Sequence, residues 1–141
     1  MMSARTAKKS TSAKSKKKNV GEARAKYQVR TQRARTPAQN PIVRKCKATL
    51  KKHYGDRLKS VILYGSIARG QASPSSDIDL LVLLSPPVDY FAELRQLVDV
   101  LYPVQLESEQ LISAKPVSVK DFELGSISLY RNAKREGIAV Q

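Results

Sequence analysis

Cysteine and histidine are almost absent from this chain of 141 residues, which contains Cys46 and His53 and no other residue of either type. A single cysteine excludes an intrachain disulfide, and the two residues together are too few for a zinc site built from Cys and His. A catalytic triad that uses any histidine other than His53 is excluded as well. We expect Cys46 to pack in a core. We expect His53 to lie near the end of a helix, because Tyr54 and Gly55 follow it at a natural helix stop.

Long apolar runs are also lacking. The chain has no apolar core of about seven residues, as secretory signals have, and no apolar span of about 18 residues. We therefore expect a soluble, cytoplasmic protein without a membrane span. With 41% hydrophobic residues, the chain has enough apolar content for one modest core rather than for two domains.

Acidic residues are scarce in the first 40 residues, where Glu22 is the only acid among 12 lysines and arginines. Residues 1–40 therefore carry +11 of the formal net charge of +14, and residues 41–141 carry the remaining +3. Because the first segment has almost no large apolar residues, it cannot bury enough surface to offset the entropy of ordering. We predict a disordered basic tail over residues 1–40 and a folded domain over residues 41–141.

A tail with this charge attracts RNA, DNA, anionic membrane or an acidic protein without sequence specificity. Nonspecific nucleic acid is therefore a candidate partner of residues 1–40, and a solvated tail that only aids solubility is the alternative. Lys16, Lys17 and Lys18 could also belong to a nuclear signal, and the acid-poor start vaguely resembles an organelle transit peptide.

Apolar periodicity predicts the order helix, strand, turn, strand, helix, strand, helix, which is typical of an α/β fold with a mixed sheet. The first helix begins after Asn40, the predicted N-cap, and ends near Tyr54. Strands are predicted over residues 60–64 and 77–84.

The second half of the chain is less clearly patterned. Asp89 is predicted to cap a helix with an apolar face, formed by Tyr90, Leu94, Leu97, Val98 and Leu101. A strand within residues 110–119, a turn at residues 120–122 and a helix over residues 127–136, ended by Gly137, are predicted to follow.

Residues 65–79 join the first two predicted strands and read Gly-Ser-Ile-Ala-Arg-Gly-Gln-Ala-Ser-Pro-Ser-Ser-Asp-Ile-Asp. Gly65 allows a tight turn and the close approach of a ligand. Ser66 offers a hydroxyl and a backbone N–H at the start of a helical turn, where anions bind well. Arg69 adds a positive charge suited to phosphates.

Asp77 and Asp79 open the second strand with one residue between them. Side chains at alternate positions share a face, so both carboxylates can reach one or two Mg²⁺ ions from positions roughly 7 Å apart. The opposite face anchors the strand in the core through Ile78, Leu80, Val82 and Leu84. Taken singly, a Gly-Ser turn or an Asp-x-Asp pair is more often an ordinary turn or cap than a site.

Here the two features occur together, with ten residues between Ser66 and Asp77. In this combination the chain resembles the nucleotidyltransferase superfamily related to DNA polymerase beta, and most closely its minimal, single-domain members. The resemblance covers about residues 41–141 and is strongest over residues 60–84. It implies an α/β fold, in which helices pack on a small mixed β-sheet.

The resemblance also implies an activity, namely transfer of a nucleoside monophosphate from ATP or another nucleoside triphosphate to a hydroxyl, with release of pyrophosphate. Asp77 and Asp79 would then be the catalytic residues that hold Mg²⁺, and Gly65, Ser66 and Arg69 would bind the phosphates. Small members of this superfamily often act beside a helical HEPN protein, as the antitoxin that adenylylates a tyrosine of that toxin. A HEPN-type protein is therefore a candidate partner.

One departure from the superfamily concerns a third acid. Active members generally carry another carboxylate on the strand after the second helix, where it completes metal coordination. Ser113 stands near that position, and Glu107 or Glu109, roughly 13 Å or more along a strand, could replace it only in a different register. The missing acid and the basic tail favour the alternative hypothesis of a catalytically weak or inactive protein that binds a partner or nucleic acid.

Overall fold

The computed structural model of the protein describes residues 37–141. The described part begins with a short 3-10 turn at Pro37–Gln39. Residues Pro37–Gln141 form one compact unit. The predicted basic tail over residues 1–40 lies almost entirely outside the described residues.

Helix α1 (Pro41–Tyr54) begins and ends where the sequence predicts. The Asn40 side chain accepts a hydrogen bond from the backbone N–H of Ile42 at 2.8 Å. Pro41 occupies the first turn, where the absence of an N–H breaks no helical hydrogen bond. His53 lies one residue before the end of the helix, as predicted, and its ring is 2.8 Å from the side-chain oxygen of Gln96. The buried face consists of Val43, Cys46 and Leu50.

Cys46 packs in the core, which confirms the prediction from its isolated occurrence. Burial raises the pKa of the Cys46 thiol from its ordinary value of 9.0 to about 11. Because the thiolate is the reactive form, this cysteine is an inert packing residue.

Four strands form the sheet, in the spatial order β3-β2-β1-β4. They are β1 (Leu58–Tyr64), β2 (Ile78–Leu84), β3 (Ile112–Ser118) and β4 (Ile138–Ala139). β1 pairs antiparallel with β2 and with β4, whereas β2 and β3 are parallel. The sheet is therefore mixed, as predicted.

The remaining helices cover both faces of the sheet. They are α2 (Gly65–Ala68), α3 (Tyr90–Glu107), α4 (Val119–Leu124) and α5 (Ser128–Glu136). One face of β2 packs with α1 and α3 through the residues predicted for the core, Ile78, Leu80, Val82 and Leu84. The other face packs with α4 and α5, where Leu81 and Leu83 meet Phe122 and Ala133. Asp79 is the only residue of β2 that is not buried.

Helix α3 packs on the core through part of the predicted face, because Leu97 and Leu101 are buried as predicted. Val98 was expected in the apolar face but is 62% exposed, and Glu93 is buried instead. The Glu93 carboxylate accepts hydrogen bonds from Arg57 at 2.7 Å and from the Tyr54 hydroxyl at 3.1 Å. A buried charge with such partners is tolerated, so hydropathy alone did not indicate the orientation of the helix.

The turn predicted at residues 120–122 is wrong, because these residues belong to α4. The Ser118 side chain caps this helix by accepting a hydrogen bond from the backbone N–H of Lys120, and Gly125 ends it with φ +64. A helix of six residues has fewer than two turns, too few for apolar residues to repeat along one face.

Within the described residues, no helix is both long enough and apolar enough for a membrane span.

Candidate functional site

The predicted site residues lie where three strands meet at one end of the sheet. β1 ends at Tyr64 and continues directly into α2, which begins with Gly65. Because β1 is antiparallel to β2 and β2 is parallel to β3, the end of β1 adjoins the starts of the other two strands. Tyr64 pairs with Asp79, and Asp79 pairs in turn with Ser113. Backbone pairing therefore brings these three residues into one row.

Gly65 lies directly against the Asp79 carboxylate. Its φ of +77 is in the left-handed region that favours glycine, and a Cβ placed there would overlap Asp79 Oδ2 and lie 3.2 Å from Asp79 Cγ. The predicted tight turn is thus present. The group that approaches the Gly65 backbone in the structure is the carboxylate of the neighbouring strand.

Asp77 lies one residue before β2, which begins at Ile78 rather than at the predicted residue 77. The backbone on each side of it is held by the segment that leads into β3. The Ile78 N–H donates to the Leu111 carbonyl at 2.8 Å, and the Gln110 side chain donates to the Ser76 carbonyl at 2.9 Å. These bonds hold the backbone around Asp77, whose side chain is exposed.

The two acids have different surroundings. Burial raises the pKa of Asp79 above its ordinary value of 3.8, and the negative charge of Asp77 raises it further. The positive charges of Lys115 and Arg69 act in the opposite direction without cancelling the rise. Burial and the Asp79 charge also raise the pKa of Tyr64 to about 12. The site therefore concentrates negative charge that nearby cations compensate only in part.

Among residues 37–141, no third carboxylate completes this pair. Ser113 stands beside Asp79, whereas Glu107 ends α3 and forms an ion pair with Lys45. Glu109 is exposed and precedes β3. In residues 37–141, no three Asp, Glu, His or Cys side chains form a group that could hold a metal ion. The alternative register that would bring Glu107 or Glu109 to the site does not occur.

The two other predicted phosphate-binding residues lie in and just after α2, which confirms the predicted helical turn. Ser66 is half-buried, and its carbonyl accepts a hydrogen bond from the Gln71 N–H at 2.9 Å. The Arg69 guanidinium is exposed and lies 3.8 Å from the Glu136 carboxylate of α5. Arg69 therefore acts on Asp79 through its charge and is directed towards another acid.

Lys115 also belongs to this site, although it was not predicted from the sequence. Its ammonium lies 3.4 Å from the Tyr64 hydroxyl and 3.4 Å from the Ser113 hydroxyl, on the face that carries Asp79. Alternation along a strand would have placed residue 115 on the same face as residue 113. The sequence placed this strand only somewhere within residues 110–119, so the face on which residue 115 lies was not predicted.

A small pocket adjoins Lys115 on the same face of the sheet. Its volume is about 250 Å³, below the range of roughly 300–1,000 Å³ that is typical of sites for whole small molecules. It can therefore accept one ring system or side chain. The lining is mostly apolar and aromatic, formed by Leu81, Tyr90, Lys115, Pro116, Val117, Ile127, Leu129 and Tyr130.

Comparison with known families gives a match to the nucleotidyltransferase domain over residues 43–130, which is more than half of the chain. The chain belongs to the nucleotidyltransferase family. The predicted family, its polymerase beta-like fold and its enzyme class are thereby confirmed.

Two relatives of this nucleotidyltransferase come from the archaeon Methanocaldococcus jannaschii, and both are predicted protein adenylyltransferases. One is 35% identical over 92 residues, which cover 62% of this chain and 83% of the relative. The other is 35% identical over 68 residues, which cover 47% of this chain and 77% of the relative.

Solved structures with a similar fold include a toxin–antitoxin crystal structure with AMP-PNP. The matching chain is 21% identical with a TM-score of 0.48, and the match covers 70% of this nucleotidyltransferase and 72% of that chain. A predicted nucleotidyltransferase from Sulfolobus solfataricus is 18% identical with a TM-score of 0.42, and that match covers 84% and 90% of the two chains.

Replacing Gly65 with alanine should lower stability more than replacing Gly70. Both glycines have a positive φ, +77 and +73, so each alanine adds backbone strain of about 1 kcal/mol or more. Only at position 65 does the new Cβ overlap Asp79, whereas nothing lies within 4 Å at position 70. Urea unfolding should show an additional loss of about 1 kcal/mol for Gly65→Ala. Equal losses in the two variants would show that the carboxylate moves aside freely.

Replacing Asp79 with asparagine should stabilise the protein at neutral pH. Because the pKa of Asp79 is higher in the folded protein than its ordinary 3.8, the unfolded chain loses this proton first as pH rises. The contribution of Asp79 to the free energy of unfolding therefore falls as pH rises from about 3.8 through the raised pKa.

This prediction can be measured by urea unfolding at a series of pH values from about 4 to 7. The free energy of unfolding of Asp79→Asn should not show this fall. At about pH 7 it should be higher than that of the wild type. Asp99→Asn, at an exposed acid on α3, is the matched control and should retain the fall. If the free energy of unfolding changed with pH in the same way in the wild type and in Asp79→Asn, burial would not raise the pKa of Asp79 as stated.

Proposed function

We propose that this nucleotidyltransferase transfers AMP from ATP to a hydroxyl group of a protein side chain. The observation that carries the proposal is the placement of the Asp79 carboxylate against the Gly65 turn, with Asp77 immediately before the same strand. This arrangement puts the Gly65-Ser66 turn, a type of backbone that can bind phosphates, next to two acids. The predicted protein adenylyltransferase activity of both archaeal relatives supports AMP as the transferred group and a protein as its acceptor.

The acids fit a magnesium ion that arrives with the nucleotide. Mg²⁺ is commonly held by one or two carboxylates together with substrate phosphates and water, rather than by a cage made only of protein ligands. Asp77 and Asp79 supply that number of carboxylates, and the charge of Asp77 raises the pKa of Asp79, an effect that a cation bound between them would oppose. Bound there, the metal would orient the α-phosphate and neutralise charge on the departing pyrophosphate.

In this proposal the chain's own residues position the reactants. The Gly65 and Ser66 backbone and the Ser66 hydroxyl hold the terminal phosphates, and Arg69 adds positive charge at the edge of the site. The acceptor oxygen forms a bond to the α-phosphorus while the bond between the α-phosphorus and the bridging oxygen breaks. Pyrophosphate leaves, and the proton of the acceptor hydroxyl is released to solvent.

A tyrosine of a helical HEPN-type protein is the acceptor in the narrower form of the proposal. Its support is the resemblance of residues 60–84 to the minimal nucleotidyltransferases that act as antitoxins of such proteins. The small size of the described domain agrees with an acceptor that is brought by a separate protein.

Label transfer tests the activity directly. The full chain is incubated with Mg²⁺, ATP labelled at the α-phosphate and a purified HEPN-type protein, and protein-bound label is measured. We expect label from α-labelled ATP and none from γ-labelled ATP, because the bond between the α-phosphate and the β-phosphate breaks. The Asp77→Ala/Asp79→Ala variant should lose at least about a hundredfold in rate, since both metal-binding groups are removed.

Asp99→Ala is the control for this experiment, because it removes an exposed acid on α3. It should retain the activity of the wild type. Label transferred equally by the double variant would exclude the assigned site. Transfer to other proteins but not to the HEPN-type protein would exclude only the narrower acceptor.

We propose nonspecific nucleic-acid binding by the basic segment as a second function. The observation that favours it is the concentration of +11 of the net charge of +14 in residues 1–40. Such a segment gains affinity by releasing counterions from phosphates, independently of sequence. The catalytic domain would then be held near nucleic acid without using its own site for the contact.

The salt dependence of binding to random duplex DNA tests this second function. Replacing Lys16, Lys17 and Lys18 with glutamine should reduce the slope of log affinity against log salt by about 0.9 for each DNA phosphate that is no longer neutralised. An equal charge change on the exposed side of α1, made by glutamine at positions 44, 51 and 52, is the control. A larger effect of the α1 changes would place the DNA-binding surface on that helix instead.

A further inference from the structure

Lys115 lies at the centre of the candidate site without an opposite charge in contact. Its ammonium has two neutral neighbours, the hydroxyls of Tyr64 and Ser113, each at 3.4 Å. In residues 37–141, no carboxylate oxygen lies within 4.0 Å of it, although Asp79 is near enough for the lysine charge to lower its pKa. The side chain is half-buried and lines the small pocket.

Such a position is unfavourable for the lysine alone. The ammonium has lost part of its water and has only hydroxyls in contact, so Asp79 compensates its charge from a distance and less fully than a contacting anion would. A compact lysine charge is a common ligand of phosphate oxygens. The residues around Lys115 therefore suit a negatively charged group that enters from solvent beside Asp79.

Ser113 explains why this charge is available. A carboxylate at position 113 would occupy the place of a hydroxyl that is already 3.4 Å from the ammonium, and it would form an ion pair with Lys115. Serine is neutral and leaves the lysine free for another anion. Serine in place of the superfamily's third acid thus makes the site less negative by one charge beside Lys115.

We propose that Lys115 binds a phosphate of the nucleoside triphosphate and so supplies, from the protein, positive charge that other members obtain through a metal held by a third acid. The inference rests on the proposed function, because it assumes a nucleotide in this site. It assigns to Lys115 a direct contact with substrate. It also gives the Ser113 hydroxyl a positioning role, since that hydroxyl lies within reach of the ammonium.

Calorimetry with α,β-methylene-ATP tests the inference without turnover, because the bond that breaks in adenylyl transfer is replaced in this analogue. Binding to the full chain is measured in EDTA and again in Mg²⁺. In EDTA, Lys115→Met should weaken binding about tenfold or more, which is typical for the loss of a charged hydrogen bond. Lys115→Arg should stay within about threefold of the wild type. Lys59→Met, at an exposed lysine at the far end of β1, should have no effect.

Ser113→Asp provides an independent test that leaves Lys115 in place. In EDTA it should weaken binding about as much as Lys115→Met does, because the new carboxylate pairs with the ammonium. Combining Ser113→Asp with Lys115→Met should weaken binding further in EDTA, because the new carboxylate then has no ammonium to pair with and repels the phosphates. In Mg²⁺, Ser113→Asp should recover affinity more than Lys115→Met, because a third acid favours the metal.

The outcomes separate this inference from the proposed function. If the wild type binds the analogue and folded Lys115→Met binds it equally well in EDTA, Lys115 is not a phosphate ligand and the proposed function stands. Stronger metal-free binding by Ser113→Asp would overturn the inference in the same way. A folded wild type that binds the analogue in neither buffer would overturn both.

Discussion

The contact between the Asp79 carboxylate and Gly65 is the constraint on which the candidate site depends. It exists because Tyr64 pairs with Asp79 across β1 and β2, so that the residue after Tyr64 meets the side chain of Asp79. A shift of one residue in this register would turn Asp79 towards α1 and α3, into the main apolar core. The apolar residues of β2 that face this core, Ile78, Leu80, Val82 and Leu84, therefore set the register that places Asp79 in the site on the opposite face.

The protein's own residues balance the charge of this site only in part. Asp77 and Asp79 raise the negative charge at one end of the sheet, and Arg69 is directed partly towards Glu136. Lys115 is close by but has only hydroxyls in contact. Groups held in this way reduce the stability of the free protein, and such arrangements are concentrated at functional sites. A magnesium–nucleotide complex carries both signs of charge and can satisfy the acids and the lysine together.

Much of the fold could be predicted because its signals are local. The cap at Asn40, the glycine after Tyr54 and the alternation along residues 78–84 each depend on neighbouring residues, and each prediction is confirmed. The errors occurred where local signals are weak or where a distant partner decides. Helix α4 is too short for apolar residues to repeat along one face. The burial of Glu93 depends on Arg57, 36 residues away.

The sequence by itself determined the two parts of the site that are contiguous in the chain, the Gly65-Ser66 turn and the Asp77–Asp79 pair. Their spacing carries the family signature, and backbone alternation is enough to place the acids near one face. Only the tertiary structure decided what stands beside them. β3 reaches its place parallel to β2 after the long helix α3, and no local rule sets the register of such a pairing. That register puts Ser113 next to Asp79, keeps Glu107 and Glu109 away, and brings Lys115 into the site.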